Sequence, residues 1–290
     1  MKRFKKKFLN ITLCIGGMEV KSKIAKINIP EKYFFSLFNS PYFSHKNMQA
    51  VDIYPRLRFG DIVKSPVSGK IEKIKKVKSP KGKEEYCIIV KKGDVFFKIL
   101  HVKPIVNEED LITESEDLGF LLSSGFFFPW TDPHIHIEIR KDDNIRAKGS
   151  EKLWCKIKNK NKSSEQIIFC NNYLLIRKDI PCFVGDKKCI LDGGLPYYGH
   201  GGVFCDNEIE MGEDVYIGDK KIGVIKKTYG KIATFKPYNF RTFLNDIEFR
   251  GISFYLNYEF FKLVPKREIK IKIWDEISIS FRESSKTENL

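Results

Sequence analysis

The sequence predicts an all-β protein, and three observations support this fold class. Short segments alternate polar and apolar residues with a period of 2, while glycine, proline and aspartate separate them and helical periodicity is scarce. The 290 residues suffice for one large or two ordinary domains. A hydrophobic fraction of 42% with 24 phenylalanines can build a core, which excludes disordered and low-complexity classes for most of the chain.

Composition divides the chain into four predicted parts. Polar, Lys/Asn-rich stretches at 141–150 and 156–164 lack an apolar face and mark a boundary near residue 150. The predicted parts are a basic N-terminal tail or weak signal-like segment (1–20), a first β domain (21–150), a second β-rich domain that forms a small barrel or sandwich (151–282), and a flexible tail (283–290).

Two turns organise the first predicted domain. Segments 86–90 and 95–102 flank Gly93, whose freedom to adopt a positive φ suits a hairpin turn. Segments 62–63 and 70–77 flank a second Ser/Pro/Gly turn. In the second domain the predicted β segments are 167–176, 214–217, 221–226, 231–235 and 268–274.

Charge and cysteine content limit the function classes. The formal net charge of +15 predicts attraction to polyanions without specifying one, so nucleic-acid binding is a possible but not favoured function. No apolar run is long enough to predict a membrane span. Seven cysteines without a C-x-x-C pair argue against a disulfide scaffold and a Cys-ligated zinc knuckle. Reduced thiols favour a cytoplasmic location, although the basic N-terminus leaves export open.

The five histidines are the most informative residues. Segment 134–140 alternates strictly, which places His134, His136 and Glu138 on one strand face and three isoleucines on the other. A carboxylate with two imidazoles suits zinc, whose catalytic sites use three N/O ligands and a water. An ordinary half-exposed strand with outward polar residues is the alternative interpretation.

Four segments, in order along residues 40–142, resemble the lysostaphin-type (LytM-like) zinc endopeptidase family, whose fold is a duplicated hybrid β motif. Segment 133–140, P-H-I-H-I-E-I-R, is similar to the family's P-H-L-H-F-E-I-R signature. The family's H-x-x-x-D-I, G-x-x-V-x-A-P-x-x-G-x-V and Y-x-H-L motifs resemble, respectively, segments 52–54, 60–71 and 99–102.

This resemblance implies a single Zn²⁺ held by Asp52 and His136, with His101 and His134 flanking the attacking water and the scissile carbonyl as catalytic residues. The family's first ligand would lie four residues before Asp52, where this chain has Met48, and the nearby imidazole is His45. We therefore predict His45 as the third metal ligand, carried to the metal by a loop.

Three further features adjoin the predicted site. Glu138 could orient a ligand imidazole or pair with Arg140 at the surface. Phe128 and Trp130 precede the histidine pair and could line a substrate groove or plug a loop. His200 lies in a glycine-rich stretch, which predicts a structural loop.

Three functions remain in competition. The leading hypothesis is a zinc-dependent, metalloendopeptidase-like hydrolase acting on a peptide or cell-wall-like cross-link. The second is a catalytically degenerate relative that binds a partner or polymer, motivated by Met48. The third is a basic nucleic-acid-binding β protein. The sequence leaves the substrate and the oligomeric state open.

Overall fold

The computed structural model describes residues 17–157, 165–170, 172–267 and 278–284. Of the described residues, 52% lie in strands and 2% in helix, which confirms the predicted all-β class. The predicted tail at 1–16, the β segment at 268–274 and the terminal residues 285–290 lie outside the described residues. Within the described part, no helix has the length and apolar character needed to cross a membrane.

Thirteen strands and one short helix precede residue 156 in the described part of the chain. The strands are β1 (Gly17–Lys21), β2 (Lys26–Pro30), β3 (Phe34–Ser36), β4 (Val51–Tyr54), β5 (Ile62–Lys64), β6 (Gly69–Lys76), β7 (Tyr86–Lys92), β8 (Val95–Leu100), β9 (Val102–Pro104), β10 (Leu111–Ile112), β11 (Asp117–Leu121), β12 (Ile135–Arg140) and β13 (Trp154–Cys155). The helix α1 (Phe43–Lys46) lies between β3 and β4.

The remaining described strands follow residue 164. They are β14 (Gln166–Cys170), β15 (Tyr173–Arg177), β16 (Cys182–Val184), β17 (Lys187–Leu195), β18 (Gly201–Cys205), β19 (Asp214–Ile217), β20 (Lys220–Tyr229), β21 (Ile232–Pro237), β22 (Phe240–Leu244), β23 (Ile247–Phe254), β24 (Phe261–Pro265) and β25 (Ile279–Glu283). The predicted segment 167–176 is in fact the antiparallel pair β14 and β15, because Asn172 lies in a turn.

We call residues 17–157 the first half and the described residues from 165 onwards the second half. A seven-stranded sheet forms the centre of the first half, in the order β10-β6-β7-β8-β12-β4-β3. Strands β7 and β8 form the predicted hairpin, and Gly93 between them has φ +59°. The turn predicted at 65–69 does not close a hairpin. It carries the chain from β5, which pairs with β11, to β6, which pairs with β7 and β10.

Strand β12 lies between β8 and β4 in this sheet, and all six of its residues are buried, so both of its faces are covered. Its isoleucines at 135, 137 and 139 belong to the first hydrophobic core. The opposite face carries His136, Glu138 and Arg140, which are also buried. A buried polar face requires partners for every charge, and the site described below supplies them.

The second half contains a closed barrel of six strands, in the order β17-β16-β19-β20-β21-β18 with β18 pairing back to β17. This arrangement confirms the predicted small barrel. Strand β17 also continues into a neighbouring sheet through β23. A second hydrophobic core fills this half and contains Leu191, Ile222 and Phe235.

The two halves contact each other through packing and hydrogen bonds. Phe204, Ile232 and Leu256 of the second half belong to the first hydrophobic core. The Phe35 amide donates to the Leu256 carbonyl at 3.1 Å, and the Leu256 amide donates to the Phe35 carbonyl at 2.8 Å. The division of the chain at residue 150 stays a prediction.

Candidate metal centre

Three elements bring His45, Asp52 and His136 together. Asp52 of β4 lies directly opposite His136 of β12 in the antiparallel register, so their side chains share one face of the sheet. His45 lies in α1, one tight turn before β4. Met48 adopts φ +58° in that turn and its amide donates to the His45 carbonyl at 3.1 Å. The short helix thus brings His45 to the sheet although it lies seven residues before Asp52.

Side-chain distances within this trio are short. His136 Nδ1 lies 2.9 Å from Asp52 Oδ1, and His45 Nε2 lies 3.2 Å from the same oxygen. His45 Nε2 and His136 Nδ1 are 3.1 Å apart. All three side chains are buried. One ligand atom from each lies within 4.8 Å of the others, so the trio could hold a metal ion.

Hydrogen bonds outside the trio fix which nitrogen of each imidazole faces it. The Leu37 carbonyl can only accept, so His45 Nδ1 donates to it at 2.9 Å and Nε2 carries the free lone pair. His136 Nε2 lies 3.2 Å from Glu138 Oε1. When Nε2 donates to that carboxylate, Nδ1 presents its lone pair towards Asp52.

Glu138 lies between His136 and two buried cations. Lys98 Nζ donates to Glu138 Oε1 at 3.0 Å, and Arg140 donates to Oε2 at 3.3 Å. The Ser150 hydroxyl donates to Oε2 as well. Glu138 is 1% exposed, so the surface pairing with Arg140 considered from the sequence is wrong, because both side chains are buried together.

Burial and neighbouring charges have opposite effects on the pKa values of Asp52 and His136. Burial alone would raise the pKa of Asp52, but His45, His134 and His136 hold it well below its usual range. Burial opposes protonation of His136, yet the hydrogen bonds to Asp52 and Glu138 raise its pKa to about 9. A metal ion at the trio must therefore displace a proton from His136.

Two more imidazoles, those of His134 and His101, lie next to the trio. His134 Nδ1 donates to the Asp132 carbonyl at 2.8 Å, and its Nε2 lies 3.5 Å from Asp52 Oδ2. The His101 ring lies 5.1 Å from that of His134 and 5.8 Å from that of His136, centroid to centroid. Burial lowers the pKa of His134 to about 4, so its imidazole is neutral at pH 7.

Glu85 fixes the orientation of His101. Its carboxylate lies 2.8 Å from His101 Nδ1 and accepts the His101 amide at 2.9 Å. The Ser124 hydroxyl also donates to it. Although burial would raise the pKa of Glu85, its bonds to His101 and Ser124 lower it. His101 itself adopts φ +70°, a left-handed conformation that these contacts stabilise.

A cavity of about 380 Å³ adjoins these groups. His45, Asp52, His101, His134 and His136 all line it. The rest of its wall is largely aromatic and apolar, and includes Tyr42, Phe126, Phe127, Phe128, Ile145 and Tyr198.

The two predicted groove residues lie in different places. Phe128 lines the cavity. Trp130 stacks on Phe128 with 5.1 Å between ring centroids, and it contacts Tyr197 and Arg250 of the second half. His200 is buried, donates from Nδ1 to the Tyr198 carbonyl at 3.1 Å and is not part of the candidate metal-binding trio.

Sequence reasoning missed Glu85 and Lys98. Glu85 ends a run of lysines and glutamates that is typical of a solvated loop, yet it is fully buried. Its position one residue before the apolar strand β7 was the only available signal. Lys98 is the one charged residue of β8, and a charged side chain is expected to face solvent.

These observations define an all-β protein with a candidate two-histidine, one-aspartate metal centre. Residues 23–155, which contain every residue of that centre, are similar to the family described as "Domain of unknown function (DUF8155) N-terminal domain". The fold comparison finds a solution structure of lysostaphin at 15% identity and a TM-score of 0.28, covering 66% of this chain and 81% of that one. No curated protein matches the sequence.

Proposed function

We propose that this protein is a zinc-dependent hydrolase that cleaves an amide bond in a peptide or a cell-wall-like cross-link. The observation that carries the proposal is the buried trio of His45, Asp52 and His136 with two further imidazoles at the same cavity. The resemblance of residues 40–142 to the lysostaphin-type family supports the peptide class of substrate.

The donor set fits zinc. Two imidazole nitrogens and one carboxylate oxygen are the ligands that Zn²⁺ prefers in catalytic sites, whereas Ca²⁺ and Mg²⁺ prefer oxygen alone. His45 would bind through Nε2, His136 through Nδ1 and Asp52 through Oδ1, because hydrogen bonds engage the other imidazole nitrogens. Leu37, Glu138 and Lys98 form the outer contacts that hold this arrangement.

Bound Zn²⁺ would supply Lewis acidity, which polarises a carbonyl and acidifies water at the site. His101 is the general base in this proposal. The buried Glu85 carboxylate holds Nδ1 and stabilises the imidazolium that forms when Nε2 accepts a proton from water. His134 donates from Nδ1 to the Asp132 carbonyl, so its neutral ring presents the Nε2 lone pair beside Asp52, where it can accept a hydrogen bond from the attacking water and orient it.

The test is peptide cleavage by zinc-loaded protein, followed by mass spectrometry on a mixed peptide pool and on soluble cell-wall fragments. We expect His101→Ala and His134→Ala to lose at least about 100-fold in rate while retaining zinc. The matched control is His200→Asn, a buried histidine outside the trio, which should keep the wild-type rate.

Other outcomes would contradict the proposal. Cleavage that survives equally in all variants would come from a contaminant. Zinc binding without cleavage would favour the non-catalytic binding role, and salt-dependent binding of DNA or RNA would favour the third hypothesis.

A further inference from the structure

A buried aspartate of the barrel holds the segment that contacts His45. Asp192 of β17 is 0% exposed, although its charge belongs in water unless it is paired. Its Oδ1 accepts the Ser36 hydroxyl at 2.6 Å. Its Oδ2 accepts the amides of Leu37 at 2.7 Å and Phe38 at 3.1 Å.

The same segment fixes the tautomer of a candidate metal ligand. The amide of Leu37 donates to Asp192, and the carbonyl of Leu37 accepts the Nδ1 hydrogen of His45 at 2.9 Å. The backbone of Leu37 therefore connects the Asp192 carboxylate to the His45 imidazole. Loss of the Asp192 contacts would free the Leu37 carbonyl to move and would remove the bond that keeps His45 Nε2 directed at Asp52.

Packing and backbone pairing hold the segment on the barrel as well. The Phe38 ring lies on Gly202 of β18, so close that a Cβ at position 202 would lie 2.0 Å from Phe38 Cδ2. Phe35 and Leu256 exchange two backbone hydrogen bonds, at 3.1 and 2.8 Å. The barrel and the segment after β23 thus hold the chain on both sides of Leu37.

We infer that the barrel completes the metal centre and that Asp192 is its positioning residue, acting through Leu37 on His45. The inference rests on the proposed zinc site. It assigns a role to the second half of the chain, which contributes none of the three candidate metal ligands. It also accounts for the displaced ligand, because a histidine on a one-turn helix needs an external support that a histidine within a sheet strand does not.

The test compares full-length variants by their zinc dissociation constant, measured by competition with a chromophoric chelator. Asp192→Ala removes the three accepted hydrogen bonds, and we expect at least a 10-fold weaker affinity. Asp192→Asn retains an acceptor for the two amides and should stay within threefold of wild type. Ile222→Ala, which removes buried packing elsewhere in the barrel, lowers the melting temperature and should leave the affinity unchanged.

Three results would overturn the inference: Asp192→Ala binding as wild type does, Asp192→Asn failing to restore binding, or Ile222→Ala weakening binding as much as Asp192→Ala. If Asp192→Ala does not fold, Ser36→Ala replaces it, because the Ser36 hydroxyl bonds Asp192 and the amides of Phe38 and Asn39. Ser36→Ala should then weaken zinc binding, and unchanged affinity would contradict the inference.

A second readout separates this inference from the proposed function. Imidazole ¹⁵N NMR of the metal-free protein reports the His45 tautomer. We expect one Nδ1–H form in wild type and Asp192→Asn, and a mixture in Asp192→Ala. If wild type binds no zinc, the proposed function fails and the NMR result still decides the role of Asp192. A single tautomer in all three proteins would overturn that role.

Discussion

At the scale of single residues, Glu138 has the most demanding environment in the site. It is buried beside Lys98, Arg140 and His136, and their charges together with the Ser150 hydroxyl outweigh burial and lower its pKa to about 2. Neither cation has water to replace a lost partner, since both are nearly fully buried. The carboxylate is therefore a structural counter-charge as well as a contact of His136.

Glu138→Gln tests this account. The variant removes the carboxylate partner of Lys98 and leaves Arg140 with only the exposed Asp142, and we expect the free energy of unfolding to fall by about 3–5 kcal/mol. Urea denaturation measures it. The control is Glu151→Gln, whose partner Lys141 is 68% exposed, and it should cost less than about 1 kcal/mol. Equal losses in the two variants would contradict the counter-charge role.

The histidines of the candidate site could be predicted from the sequence, whereas the buried charged residues that hold them in place could not. His134 and His136 could be assigned to one strand face because a period of 2 is unambiguous there. The supports Glu85, Lys98 and Asp192 were missed because charged residues in short segments have solvent exposure as their default interpretation. Their burial follows from pairing between distant strands, which local sequence does not encode.

At the scale of elements, the contact between β18 and the segment after β3 holds α1 in place. This contact could not be predicted from the sequence, because the glycine-rich stretch around Gly202 predicts only a loop. In the structure this glycine lies in a strand and leaves room for the Phe38 ring. The predicted turn at 65–69 joins strands that pair in different sheets, and local sequence does not indicate these pairings because they are long-range.

Gly202→Ala tests this packing. The added methyl group must displace the Phe38 ring, and we expect a loss of about 1–3 kcal/mol in the free energy of unfolding. In a Phe38→Ala background the same change should cost less than about 0.5 kcal/mol, because the ring is gone. Both values come from a double-mutant cycle in urea. Additive costs would show that the two residues do not contact each other.

At the scale of the whole molecule, buried titratable groups set the pH dependence of the metal-free protein. Burial lowers the pKa of His134 and His200 to about 4, so between pH 4 and 6.5 the unfolded chain binds protons that the folded chain lacks. Their contribution to stability rises with pH in that window. Burial raises the pKa of Asp192 to about 7, so its contribution falls with pH from 3.8 to 7.

The net expectation between pH 4.5 and 6.5 is a rise of about 1.4 kcal/mol per pH unit, since two imidazoles oppose one carboxyl. Above pH 6.5 stability should fall, because the raised pKa of His136, about 9, means that its stabilising proton is lost as the pH rises through that value. Unfolding free energies at several pH values measure this profile. His200→Asn should flatten the rise between pH 4.5 and 6.5, and an unchanged slope would contradict the assignment.

Elemental mass spectrometry on tag-free protein tests whether His45, Asp52 and His136 hold a zinc ion. We expect about one zinc per chain in wild type and in the control His200→Ala, and loss of zinc in His45→Ala, Asp52→Ala and His136→Ala. Wild-type protein that holds no zinc after reconstitution, or full zinc content in any of the three ligand variants, would contradict the claim.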